Sequence, residues 1–363
     1  MNKSKVIDKP VWIFFILTLI AGILMHFRVI DEENIFFTEY YTFDISQTYV
    51  LNSVVTGFVL FWGASIFLYL SFREIFQNAK WAFLAILLFY TSPFIMGVVF
   101  GPCLNQYLLT FLLFNFYLTK RFIDGPGILY TLLLALIHSF LILIYPCLII
   151  LPILTGLFFL LNISTRNLSG KKMFFLVPYF LLLAGVLLFI HFTLRIPLFG
   201  PLPDFSFFSN KHSWFGYIGL VLNSTPPLYV VYFLFSIIAM NVIYFSNYFL
   251  FLKNKWIYTY SFIVPVGIFI AEKFIISGSY GIKYSLVVVT VSMLIIAISG
   301  CFEFASWVRK RWGEKVYFIF KILFFSLLAL QVLFCVIALL YLYPNYGMYR
   351  NWPLFFLEHS YYF

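Results

Sequence analysis

The chain has 363 residues, of which 63% are hydrophobic, 23% are aromatic and only 10% are charged, and its formal net charge is +10. A soluble domain averages about 25% charged residues, so this chain has too few charges to cover a globular surface in water. Intrinsic disorder is excluded too, because disordered chains have low hydrophobicity, whereas the mean hydropathy here is +1.00. The composition therefore indicates an integral membrane protein.

Long charge-free runs predict that the membrane segments are helices. Barrel strands alternate polar and apolar residues over about ten positions, whereas the runs 81–119 and 125–165 contain no Asp, Glu, Lys or Arg at all. A spanning helix needs roughly 20 apolar residues, and each of these two runs is divided by a helix breaker, Gly101-Pro102 or Tyr145-Pro146. The pattern predicts an all-α bundle of about eleven spans, at 11–27, 50–71, 81–99, 103–119, 127–144, 147–163, 173–193, 228–250, 256–271, 284–301 and 318–342.

The distribution of Lys and Arg predicts the orientation of this bundle. With a cytoplasmic N-terminus, the inner segments hold 17 of the 23 basic residues, as the positive-inside rule requires. We therefore expect one membrane domain over 1–363 with its N-terminus inside and its C-terminus outside, and with outer segments at 28–49, 194–227 and 343–363. The basic residues are dispersed over many loops, which argues against nucleic-acid binding. The expected location is the bacterial inner membrane or an equivalent membrane.

The first outer segment, 28–49, is rich in carboxylates. It holds five of the thirteen acidic residues of the chain, and Asp31-Glu32-Glu33 directly follows the first predicted span. Carboxylates so close to lipid are costly unless they face water, a cation or a polar cavity. These residues either form a functional group at the outer face or, with Asp31 as a cap, begin a short interfacial helix.

Cations on later outer segments suggest a partner for these acids. Lys283 enters the span that begins near 284, where it either snorkels to the headgroups or meets an anion such as a lipid phosphate; Arg350 is a further outer cation. A carboxylate base beside cations that hold a phosphate is what sugar transfer from a lipid phosphate requires. The base deprotonates the acceptor hydroxyl, and the cations or a divalent metal stabilise the departing phosphate.

The order of short motifs along the chain resembles the GT-C superfamily of membrane glycosyltransferases, which includes protein O-mannosyltransferases and the aminoarabinose transferase of lipid A. Members open with one span and an outer loop that carries an acidic pair, here Asp31-Glu32. The matching stretches that follow are the Tyr-x-x-x-Arg junction in 68–76, the run into Ser-Pro at 79–94, the turn at 104–109, the outer segment 217–227, the Lys-Tyr helix start at 282–300 and the Tyr-Pro-Asn-Tyr stretch at 343–351.

The resemblance implies a role for each candidate residue. Asp31 would be the catalytic base and Glu32 would support it. Lys283 would meet the phosphate of a polyprenyl-phosphate sugar, the donor substrate. The remaining candidates, which would bind substrate, are Asp44, Asn105 and Arg350. Asp44 would help to place the acceptor or a divalent cation.

Two other interpretations stay open. Asn105 stands where many members carry an acidic residue, which leaves a non-catalytic GT-C-like subunit, working with membrane protein partners, as an alternative. Polysaccharide polymerases of the O-antigen or EpsG type are similar in length and carry an Ile-His-Ser-like stretch, matched here by Ile137-His138-Ser139. The preferred explanation of His138 is a buried polar residue that is hydrogen-bonded to a neighbouring helix.

Overall fold

The computed structural model describes residues 9–32, 47–91, 95, 103–166, 170–194, 234–239, 241, 243, 260–261, 263–268, 270 and 281–337. At several helix ends, among them 24–32, 103–106 and 281–287, it describes the backbone alone. The described residues are helical and include no β-strand, which confirms the all-α prediction. The main helices are α1 (Lys9–Glu32), α2 (Gln47–Phe76), α3 (Ala79–Tyr90), α4 (Cys103–Asp124), α5 (Ile128–Ile144), α6 (Ile150–Arg166), α7 (Leu176–Leu194) and α8 (Gly281–Ile337).

A tight turn separates α2 from α3. Gln77 has a φ of +49°, a left-handed conformation that ends α2. The Asn78 side chain then caps α3, because its Oδ1 accepts hydrogen bonds from the backbone N–H groups of Lys80 (2.9 Å) and Trp81 (3.4 Å). This local chemistry fixes the start of α3 two residues before the predicted position.

Proline ends α5 where the sequence predicts a break. A residue that precedes proline is disfavoured in the helical conformation, and Tyr145 is accordingly extended, with φ −147° and ψ 100°. Pro146 begins a short 3-10 helix, Pro146–Ile149, which leads into α6. The break predicted at Tyr145-Pro146 is confirmed, whereas Gly101-Pro102 lies outside the described residues.

The polar side of α5 faces the protein interior. Thr131, His138 and Ser139 are buried, and His138 and Ser139 follow Thr131 by seven and eight residues, about two helical turns along the same face. The opposite side exposes large apolar side chains: Ile128, Leu129, Leu132, Leu133, Leu136 and Phe140. A helix that buries its polar groups and exposes its apolar ones suits a hydrocarbon surrounding rather than water.

Length and composition identify three stretches of the described helices that can cross a membrane: Gly57–Phe76, Met173–Thr193 and Val291–Leu333. Four further apolar helical stretches are shorter: Pro10–Ile23, Ala79–Tyr90, Ile128–Ile144 and Pro146–Leu161. Exposed apolar side chains along these helices are compatible with contact to a lipid bilayer.

The longest helix, α8, is bent at Gly313. This residue has φ +81° and ψ −179°, a conformation that glycine adopts without the steric cost of a Cβ. The bend divides α8 into two arms, 281–312 and 314–337. At 1.5 Å per residue the arms are about 48 Å and 36 Å long, so each is long enough to cross the hydrocarbon core.

Two predicted loop boundaries require correction. α1 continues through Glu32 and α2 begins at Gln47, so only 33–46 of the predicted segment 28–49 lies between these helices. No Gly or Pro interrupts 23–32, so nothing in that stretch ends the helix. Likewise, the inner connection predicted at 302–317 is helical on both sides of Gly313, because a single glycine suffices to make the turn.

Candidate functional site

Four of the six predicted site residues lie at helix ends. Asp31 and Glu32 belong to the last turn of α1, Asn105 to the first turn of α4 and Lys283 to the first turn of α8. The structure describes the backbone at these positions but not the side chains. The other two candidates lie outside the described residues: Asp44 and Arg350.

Contacts at one end of the bundle determine the direction of three helices. The Lys120 ammonium lies 3.1 Å from a Glu74 carboxylate oxygen, so α2 and α4 finish at the same end and run parallel. The Phe302 ring lies 4.5 Å from Phe76 and 5.4 Å from Trp81, measured between centroids. The first arm of α8 therefore also runs towards this end, and its residue 281 lies towards the opposite one.

α1 runs antiparallel to α2. The Trp62 indole N–H donates to the Phe15 carbonyl at 2.8 Å. Further along α1, the Phe58 ring packs so closely on Gly22 that a Cβ built on this glycine would lie 2.0 Å from Phe58 Cζ. Residue numbers thus rise along α1 while they fall along α2, which puts the last turn of α1 at the end where α2 begins.

These directions bring the four described candidates to one end of the bundle. α1 finishes there with Asp31 and Glu32, while α4 and α8 begin there with Asn105 and Lys283 in their first turns. We call this the Asp31 end and the opposite one the Gly313 end. The structure therefore places the backbone of these three helix ends on one side of the bundle.

A polar network in the interior was not predicted as a unit. His138 is fully buried, and its Nε2 lies 2.6 Å from Asn115 Oδ1 while its Nδ1 contacts the Tyr179 hydroxyl. The Asn115 oxygen also accepts from the Thr119 hydroxyl at 3.1 Å, and its Nδ2 donates to Tyr260 at 3.4 Å. Since an amide oxygen only accepts, His138 Nε2 carries the proton and Nδ1 accepts from Tyr179.

This network joins helices rather than opening to a substrate. Its members come from α4, α5, α7 and the helical position 260, and both ring nitrogens of His138 have a partner. Such hydrogen bonds between helices stabilise membrane bundles. The prediction that His138 is a buried residue bonded to a neighbouring helix is confirmed. Asn115 could have been noticed from the sequence, because it is a polar residue inside the charge-free run 81–119.

The Gly313 end carries an ion-pair cluster. Lys120 bonds to Glu74 and, at 2.8 Å, to Asp124, and Arg121 pairs with the same Glu74. Arg121 lies beyond the charge-free run that ends at 119. Burial by itself would lower the pKa of its guanidinium, but the hydrogen bond to Tyr117 and the charge of Glu74 outweigh burial and raise this pKa. The cluster fastens α2 to α4 and leaves these carboxylates already paired.

No metal site emerges from the part of the chain that the structure describes. Within those residues, no three His, Cys, Asp or Glu side chains converge. Cys147 and Cys301 are buried free thiols, and a buried free cysteine behaves as a small apolar residue. Asp44, the residue predicted to help to place a divalent cation, lies outside the described residues, so the metal prediction stays a prediction.

Comparison with known proteins adds no relative. The chain matches no protein-family model, and no similar protein is found among curated proteins or solved structures. The GT-C resemblance therefore depends on the sequence motifs alone. Fold and composition define the protein as helical, with helices long and apolar enough to span a membrane.

Proposed function

We propose that this protein is a membrane glycosyltransferase that moves a sugar from a polyprenyl-phosphate carrier to an acceptor at the extracytoplasmic face. The observation that carries the proposal is the common end of the bundle for the last turn of α1 and the first turns of α4 and α8. These turns contain the candidate residues Asp31, Glu32, Asn105 and Lys283, and their common end supports the proposal that the four act together.

The proposed orientation makes this side the outer one. The bundle crosses the membrane about eleven times, with the N-terminus inside and the C-terminus outside. In this arrangement the Asp31 end faces the extracytoplasmic space, and the ion pairs of Glu74 lie at the cytoplasmic surface. The positive-inside distribution of Lys and Arg supports this orientation.

In the proposed reaction, the oxygen of the acceptor hydroxyl attacks the anomeric carbon of the sugar. Asp31 accepts the proton that this hydroxyl loses. The bond between that carbon and the phosphate oxygen breaks, and polyprenyl phosphate leaves with the bonding electrons. Lys283 and Arg350 stabilise the phosphate that forms. Glu32 supports the base, while Asp44 and Asn105 orient the acceptor.

The decisive experiment separates donor binding from turnover. Purified full-length protein is incubated with a panel of polyprenyl-phosphate sugars, and released polyprenyl phosphate is measured. We expect Asp31→Asn to retain donor binding and to lower release by about 10²–10⁴-fold, the usual contribution of a general base. Lys283→Gln should instead weaken donor binding. Asp124→Asn, at the Gly313 end, is the control and should retain turnover.

Two outcomes would contradict the proposal. An unchanged release rate in Asp31→Asn would refute the assignment of the base. A folded wild-type protein that binds no donor and co-purifies with partner chains would favour the alternative of a non-catalytic subunit. Asn105 supports that alternative, because it stands at a position that is commonly acidic.

A further inference from the structure

The bend of α8 forms a compact basic surface, which we call the basic corner and define as residues 307–321. Every residue of the corner is described. Glu314 is its only carboxylate, and it is already engaged by Arg309, whose Nε donates to Glu314 Oε1 at 2.5 Å. The corner carries five cations: Arg309, Lys310, Arg311, Lys315 and Lys321.

Aromatic rings hold several of these cations in place. The Arg309 guanidinium lies 5.6 Å from the centroid of the Tyr317 ring, and the Lys321 ammonium lies 4.9 Å from the same centroid. The Arg311 guanidinium lies 5.5 Å from the ring of Trp307. Contacts of this kind restrain long side chains that otherwise move freely, so the cations are arranged before any ligand arrives.

The surroundings place the corner at the membrane surface. Trp312 is 52% exposed, and tryptophan and tyrosine concentrate where hydrocarbon meets water. The second arm continues directly into exposed apolar side chains: Val316, Phe318, Ile319, Ile322, Leu323 and Phe325. These apolar side chains suit the lipid tails. Because the cations directly adjoin them, we infer that the cations lie at the level of the lipid headgroups.

From this juxtaposition we propose that the basic corner binds an anionic phospholipid by its headgroup phosphate. Guanidinium groups bind phosphate through two parallel hydrogen bonds, and the Tyr317 ring brings the Arg309 guanidinium of the first arm close to the Lys321 ammonium of the second arm. Lys310 and Lys315 are exposed and make no hydrogen bond, ion pair or ring contact within the described residues. The corner lies at the Gly313 end, so this inference is independent of the proposed function at the Asp31 end.

The experiment counts bound lipid. Full-length protein in detergent is mixed with phosphatidylglycerol or with phosphatidylcholine of the same acyl chains, and retained lipid is counted by native mass spectrometry. We expect wild-type protein to retain phosphatidylglycerol in preference. Arg309→Gln/Lys310→Gln/Arg311→Gln should lose this preference, with an affinity reduced about fivefold for each cation removed. Lys3→Gln/Lys5→Gln/Lys9→Gln removes the same charge elsewhere and should retain it.

A second variant guards against a folding defect. Lys310→Gln/Lys315→Gln changes two exposed side chains without described contacts, so it should fold and still bind less phosphatidylglycerol. Equal binding by this variant and wild type would overturn the proposal, as would an equal loss in the N-terminal control, which would indicate diffuse electrostatics. Displacement of the lipid by inorganic phosphate would show a site for the free anion instead.

Discussion

Some buried polar side chains in the described interior find partners on other helices. The Ser65 and Tyr90 hydroxyls lie 2.7 Å apart, and Gln331 Nε2 donates to the Thr91 hydroxyl at 3.0 Å. Hydrocarbon offers no water to satisfy such groups, so each must bond within the protein. These pairs and the His138 network therefore act as fixed points between helices.

Removing the centre of the largest network should measure its contribution. Asn115→Leu deletes the bonds to His138, Thr119 and Tyr260, and hydrogen bonds in membrane proteins contribute roughly 0.6 kcal/mol each. We expect the free energy of unfolding, followed by circular dichroism during titration with sodium dodecyl sulfate, to fall by about 2 kcal/mol. Asn241→Leu, at an exposed position, is the matched control. Equal losses in the two variants would contradict an interior role for Asn115.

The sequence predicts single members of this network better than the network itself. His138 is conspicuous in a helix that contains no Asp, Glu, Lys or Arg, which suffices to predict a buried polar residue. Its partners Asn115 and Tyr179 are separated from it by 23 and 41 positions along the chain, and Tyr260, which joins the network through Asn115, lies 145 positions from Asn115. No local pattern links them. Only the packing of four helical elements brings their side chains together.

At the scale of the element, local signals such as proline and capping side chains determine where several of the described helices begin and end. Pro146 and Asn78 mark boundaries that can be read from the sequence. The extension of α1 to Glu32 and the bend at Gly313 differ from the prediction, because charged residues do not by themselves end a helix. Charge marks where a helix leaves lipid, but the helix itself continues until a backbone signal stops it.

Close approach between helices gives a prediction about glycine. The Ser236 hydroxyl donates to the Ala297 carbonyl at 2.9 Å, and a Cβ built on Gly300 would lie 2.2 Å from Ser236 Cβ. Gly300→Ala should force the helices apart and lower the free energy of unfolding by about 1–3 kcal/mol.

The matched control for this substitution lies in α7. A Cβ on Gly185 would meet nothing within 4 Å among the described residues, so Gly185→Ala should leave stability unchanged or raise it by up to about 1 kcal/mol, the difference in helix propensity. Unfolding in sodium dodecyl sulfate measures both variants. A Gly300→Ala protein as stable as wild type would show that this contact is easily relaxed.

At the scale of the whole molecule, the helix directions give the bundle two chemically different ends. The Asp31 end carries the acidic last turn of α1, whereas the Gly313 end carries the ion pairs of Glu74 and the basic corner. In the proposed orientation a membrane lies between these ends, with the proposed sugar transfer at one surface and the proposed lipid binding at the other.

Labelling with a membrane-impermeant maleimide tests this arrangement. In a variant whose native cysteines are replaced by alanine, we expect Glu32→Cys to react in intact cells and Glu314→Cys to react only after the membrane is permeabilised. The opposite pattern would retain the bundle but reverse its orientation. Reaction of both positions from the same side would contradict the helix directions described above.

Composition and charge patterning by themselves determined that this chain is helical, apolar on its outside and suited to a membrane, because the lack of charge and the need to satisfy backbone groups in lipid permit little else. Tertiary structure alone decided that the last turn of α1 and the first turns of α4 and α8 share one end, and that His138 bonds to Asn115 and Tyr179. Helix direction and neighbours depend on side-chain packing between distant segments, which no local pattern in a uniformly apolar sequence encodes.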